Sequence, residues 1–161
     1  MTNSNPNTPV SGPLRIALIG AGRHAQHHAR AILRCPGVQL VAVADPSDAA
    51  QAAMRDIVPG IGCFKTPEEL FASEKLHVVH IITPPATHAP LARMALKAGC
   101  HIYVEKPFTE SVEDAQQILE EASAKGLRVC AGHQLLYEPP TRVLTQYLPS
   151  IGRVVHVESY F

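Results

Sequence analysis

The sequence predicts an α/β fold, a doubly wound parallel sheet with the beginning of a second α+β domain. Two observations carry this. Short apolar runs bounded by turn residues alternate with segments of helical periodicity, and the first such pair is joined by a glycine turn.

Leu14 to Ile19 is an apolar run ending in Gly20-Ala21-Gly22, after which Ala25, Ala29, Ile32 and Leu33 recur at helical spacing until Cys35-Pro36-Gly37. Val38 to Ala44 is almost uninterruptedly apolar, as expected of a strand covered on both faces, and Asp45-Pro46-Ser47 ends it. Ser47 suits an N-cap for a helix to about Ile57, followed by a short strand at Cys63-Phe64. Thr66-Pro67-Glu68-Glu69 reads as a cap, a proline at the first helical position and acids on the positive end of the helix dipole.

Val78 to Ile82 is the fourth strand, Thr87 is placed to cap a helix through Lys97, and His101 to Val104 is the fifth strand. Ser111 opens a helix with Val112, Ala115, Leu119 and Ala122 on one face, and Leu127 to Ala131 is the sixth strand. Alternating strands and helices imply right-handed crossovers. Three regions follow: a disordered tail over 1–13, a dinucleotide-binding domain over 14–133, and an incomplete substrate or oligomerisation domain over 134–161. In the last, a helix to Leu148 precedes a strand from Val154 to Phe161, whose open edge would invite self-association or a partner chain.

Composition narrows the function classes. With 161 residues, 46% hydrophobic and 17% charged, the chain has enough apolar material for one core. Fourteen basic residues against fourteen acidic leave no electrostatic footprint for nucleic acid. The apolar runs are too short for a membrane span, and the first residues resemble no secretory signal. Cys35, Cys63, Cys100 and Cys130 lack the close pairing of zinc or redox motifs and read as reduced thiols of a cytoplasmic protein.

Gly20-Ala21-Gly22-Arg23-His24-Ala25 has the form G-x-G-x-x-A between a strand and a helix. The first glycine permits the turn, the second lets backbone approach a pyrophosphate, and the helix N-terminus offers N–H groups to it. Asp45 ends the second strand, where a carboxylate accepts hydrogen bonds from a ribose diol and repels a 2′-phosphate, favouring NAD over NADP. A turn or cap residue would also explain Asp45, and Arg23 leaves room for the phosphorylated cofactor.

Thr83-Pro84-Pro85-Ala86-Thr87-His88 and Glu105-Lys106-Pro107 each follow a strand at its carboxyl end, where ligands bind in open α/β sheets. Lys106 is the catalytic candidate: a lysine there polarises a substrate oxygen or moves its proton, and burial would lower its pKa toward that task. His24 and His28 stand i,i+4 on the first helix, a spacing able to bind metal, but the sequence shows no third ligand beside them and no metal site is expected. His77 and His80 flank a strand core and are expected on opposite sides.

G-A-G-R-H-A-Q-H-H-A at 20–29, V-A-V-A-D at 41–45, T-P-P-A-T-H at 83–88, G-C-H-I-Y-V-E-K-P-F at 99–108 and G-H-Q-L-L-Y-E-P at 132–139 together resemble the Gfo/Idh/MocA family. The resemblance implies a nicotinamide-dependent oxidoreductase acting on sugars, cyclitols or sugar nucleotides. It assigns the cofactor to Gly20, Gly22, Arg23, His24, Asp45, Thr83, Pro84, Pro85, His88, Glu105, Lys106 and His133, and catalysis to Lys106, with a cis bond between Lys106 and Pro107. It also implies a further catalytic acid/base in a second domain this chain does not complete. Rivals of other classes are a non-catalytic dinucleotide-binding or regulatory module and a methyltransferase, which shares the glycine turn and the acid after the second strand.

Overall fold

A computed structural model describes residues 12–158. The elements are β1 (Leu14–Ile19), α1 (Arg23–Ile32), β2 (Val38–Ala44), α2 (Asp48–Ile57), β3 (Gly62–Phe64), α3 (Pro67–Ser73), β4 (Val78–Ile81), α4 (His88–Lys97), β5 (His101–Val104), α5 (Val112–Ala124), β6 (Val129–Ala131) and α6 (Pro139–Tyr147). All six strands are parallel in the order β3-β2-β1-β4-β5-β6. The chain works outward from β1, then crosses back to place β4 on the other side of it. This reversal leaves a crevice at the carboxyl ends of β1 and β4.

The sheet is buried on both faces near its centre. On one face Leu18, Val43, Met54 and Ala25 join strands to α1 and α2. On the other, Leu70, Ile81, Leu96 and Ile118 join them to α3, α4 and α5. Each of these side chains larger than alanine contributes about 1.5–3 kcal/mol when removed from water, which is why runs apolar at every position became central strands.

Local chemistry sets most helix starts as expected. Ser47, Thr66 and Ser111 accept hydrogen bonds from the N–H groups of Ala50, Glu69 and Asp114, each three residues on. Thr87 departs from its expected role. A 3-10 turn over Pro85–Thr87 leads into α4, and the Thr87 side chain makes no cap hydrogen bond. Its hydroxyl is taken up in the preceding loop, 2.7 Å from both Thr83 Oγ1 and the Pro84 carbonyl oxygen.

The buried stripe of α5 only partly matches the expected one. Ala122 is buried as expected, but Val112 is 76% and Leu119 51% exposed, and Ile118 is buried in their stead. Both stripes have helical period, and the packing of α5 beside α4, fixed by Arg93 to Asp114 at 2.6 Å, selects between them.

Beyond β6, 3-10 turns flank α6, and none of the residues of α6 is buried. No second sheet occurs among the described residues. Residues 154–158 of the expected terminal strand are irregular, and 159–161 lie outside the described residues. A β-prone segment forms a strand only where a neighbour supplies ladder hydrogen bonds, and among the described residues no strand pairs with 154–158. The expected tail lies outside the described residues except for Gly12 and Pro13.

Candidate functional site

A cleft of about 620 Å³ opens at the reversal point of the sheet. Gly20, Gly22, Asp45, Thr83 and Pro84 line it, and Leu91 and Met94 of α4 form an apolar wall. Gly20 adopts φ +97°, and a Cβ there would lie 2.5 Å from the Ile82 carbonyl oxygen. Only glycine lets the turn after β1 pass so close to the end of β4. Around Gly22 the space is open, with nothing within 4 Å of where a Cβ would stand.

α1 begins differently from the capped helices. Its N-cap is Gly22, no side chain caps it, and no acid stands in its first turn. Its N–H groups and positive dipole end are therefore left for an external anion at the rim of the cleft. Arg23, exposed in that turn, adds positive charge.

Asp45 is held in place by backbone. Its Oδ2 accepts from Ala21 N at 2.7 Å and its Oδ1 from Ser47 N at 2.8 Å. Gln51, buried on α2, donates through Nε2 to the carbonyl oxygens of Asp45 at 2.7 Å and Phe64 at 2.9 Å, clamping the ends of β2 and β3 together. The sequence signals Gln51 only as a polar residue on the inner face of an amphipathic helix. Lys65, at the cleft mouth, reaches the Pro46 carbonyl at 3.1 Å and the Asp48 carboxylate at 2.6 Å, and was not anticipated.

His88 does not line the cleft. It is 1% exposed, with Nε2 2.8 Å from the Thr83 carbonyl and Nδ1 2.8 Å from the Pro107 carbonyl. It thus ties the loop after β4 to the loop after β5, fixing Thr83 and the segment following Lys106. The Lys106-Pro107 bond is cis, as the resemblance implied. Lys106 itself is exposed, so the burial invoked for it is absent. Pro85 is exposed in the 3-10 turn and, like His133 at the start of the next such turn, stands outside the cleft lining.

His24 and Glu105 belong to a second cluster, in a depression of about 360 Å³ beside α1. Glu105 is 7% exposed, and its Oε1 lies 3.1 Å from His28 Nε2 and 3.4 Å from His24 Nε2. The third partner missing from the sequence reading of His24 and His28 is thus supplied by a residue 77 positions beyond His28. His28 Nδ1 lies 3.0 Å from His80 Nδ1, and the His80 ring stacks on Tyr103. Burial, with the neighbouring His28, holds His80 down at about 4. Burial, with the Glu105 charge, pushes Tyr103 up to about 12. His77 lies just before β4 and accepts from Arg15 N at 2.8 Å, away from His80.

A family described as "Oxidoreductase family, NAD-binding Rossmann fold" (GFO_IDH_MocA) matches residues 14–133. The chain is 30% identical over 155 residues to the uncharacterized oxidoreductase YdgJ of Escherichia coli (strain K12), covering 94% of this chain and 44% of that protein. It is 35% identical over 118 residues to inositol 2-dehydrogenase of Agrobacterium fabrum, covering 72% and 35% respectively. In fold it matches GenD2 from gentamicin A biosynthesis, solved in complex with NAD, at TM-score 0.79 and 26% identity, the match covering 91% of this chain and 41% of that one. The chain spans less than half the length of these relatives.

Proposed function

This chain belongs to the Gfo/Idh/MocA oxidoreductase family, and from that premise we propose that it binds NAD in the cleft between β1 and β4 and serves hydride transfer at a hydroxyl-bearing carbon of a sugar, cyclitol or sugar nucleotide. The observation that carries the proposal is the carboxylate of Asp45, fixed by Ala21 N and Ser47 N at the edge of a cleft floored by Gly20 and Gly22. A carboxylate so held accepts ribose hydroxyls and repels a 2′-phosphate, which favours NAD over NADP. The open space at Gly22 and the uncapped α1 fit a pyrophosphate.

When bound, the nicotinamide supplies a two-electron acceptor or donor of hydride. The chain's own residues do the rest. Gly20, Gly22 and the first turn of α1, with Arg23, receive the phosphates, and Thr83 and Pro84 line the far half of the cleft. In this reading Lys106 takes or returns the proton of the reacting hydroxyl, and the contact between His88 and the Pro107 carbonyl positions its loop. We place the dinucleotide-binding domain at 14–133, with 134–161 opening the substrate domain, and the four free thiols suit a cytoplasmic setting.

Titration of the purified chain with NADH and NADPH, followed by nicotinamide fluorescence, tests the cofactor reading. NADH is expected to saturate and to bind at least tenfold more weakly to Asp45→Ala, because that change removes the ribose acceptor and frees the N–H of Ala21. Equal binding of both cofactors, unchanged by the substitution, would overturn it.

A further inference from the structure

We infer that His24, His28 and Glu105 form a binding site for a divalent first-row transition ion, of which zinc is the best match. The ligand atoms, two imidazole Nε2 and one carboxylate Oε1, lie within 4.8 Å of one another. A tetrahedral zinc ion with metal–ligand distances near 2.1 Å separates its ligands by about 3.4 Å. Oε1 stands 3.1 Å from one nitrogen and 3.4 Å from the other, so two edges of the trio already match, and the two nitrogens, within 4.8 Å of each other, close on an ion by rotation of the exposed His24 side chain. Two imidazoles and one carboxylate suit a borderline ion and leave a fourth position open.

Three independent features support this set. First, α1 presents both histidines on one face, one turn apart, with their rings 5.3 Å apart. Second, His28 has an orienting partner: its Nδ1 stands 3.0 Å from His80 Nδ1, which can accept the Nδ1 proton when an ion takes the place of the proton on Nε2. Third, Glu105 is fixed, its Oε2 accepting from Lys106 N at 3.3 Å. Gly132 carries no side chain where a Cβ would stand 2.9 Å from Oε1. An ion here would tie the first turn of α1 to the loop carrying Lys106. This site stands apart from the Asp45 cleft and does not depend on dinucleotide binding.

The test is titration of the metal-free full chain with Co²⁺ alone, read by the visible d–d bands of tetrahedral cobalt, and with Zn²⁺ alone by calorimetry. One equivalent is expected to bind. His24→Ala, at an exposed helix position that leaves the fold intact by circular dichroism, is expected to weaken binding at least tenfold. His80→Phe is expected to weaken it by about 10–100-fold through loss of the orienting partner. Cys35→Ser, which removes the one thiol lining the depression, is expected to leave the bands unchanged. Absence of stoichiometric binding, or binding that survives His24→Ala at parental affinity, would overturn the site.

Discussion

At the scale of single residues, the site depends on groups whose hydrogen-bond partners are far away in sequence. Lys106 is exposed and follows the buried Glu105 directly. In the complete protein, Lys106→Ala is expected to reduce kcat by about 10²–10⁴-fold with NADH affinity nearly unchanged. A variant with near-parental kcat would remove Lys106 from the reaction.

His101 supplies a separate test of how burial acts on a titrating group. Its Nδ1 accepts from Arg128 N at 2.9 Å, so the neutral ring is the bonded form. Desolvation, with the charges of Arg128 and His77, holds its pKa below 6.5. The unfolded chain therefore binds the proton more readily, and this contribution to stability is complete above pH 6.5 and lost as pH falls below it. His101→Phe cannot titrate, so its urea-midpoint deficit against the parent should shrink between about pH 7.5 and about pH 5.5.

At the scale of elements, the turn between β1 and α1 carries the strongest local constraint. Gly20→Ala places a Cβ against the Ile82 carbonyl at a backbone angle that L side chains rarely adopt. The expected destabilisation is about 2 kcal/mol or more, read as a lowered urea midpoint together with weakened NADH binding. Helix starts were readable because a cap hydrogen bond spans three residues, as at Ser47, Thr66 and Ser111. The face that α5 buries was not, because periodicity fixes the spacing of a stripe and only the neighbouring α4 decides which stripe turns inward.

At the scale of the whole molecule, the strand order places the cleft. β1 and β4 become neighbours only after the chain has laid β2 and β3 to one side, so Gly20 and Thr83 meet across 63 positions of sequence. Ligand binding to the folded form alone should couple to global stability. At about a hundred times its dissociation constant, NAD is expected to add about 2.7 kcal/mol, a rise in Tm of about 5–10 °C for a domain of this size. Differential scanning calorimetry of the parent and Asp45→Ala measures this, and equal shifts in both would detach the stabilisation from the Asp45 cleft.

The sequence by itself determined the alternation of strands and helices, the glycine turn and the acid that follows β2, because these depend on periods, caps and backbone freedom within a few residues. Tertiary structure decided the remainder. It turned His88 inward to join two loops, left Lys106 in solvent, put Gln51 across the ends of β2 and β3, and brought Glu105 to His24 and His28. Those outcomes rest on distances between segments dozens of residues apart, which the packing of the whole sheet sets and no local pattern encodes.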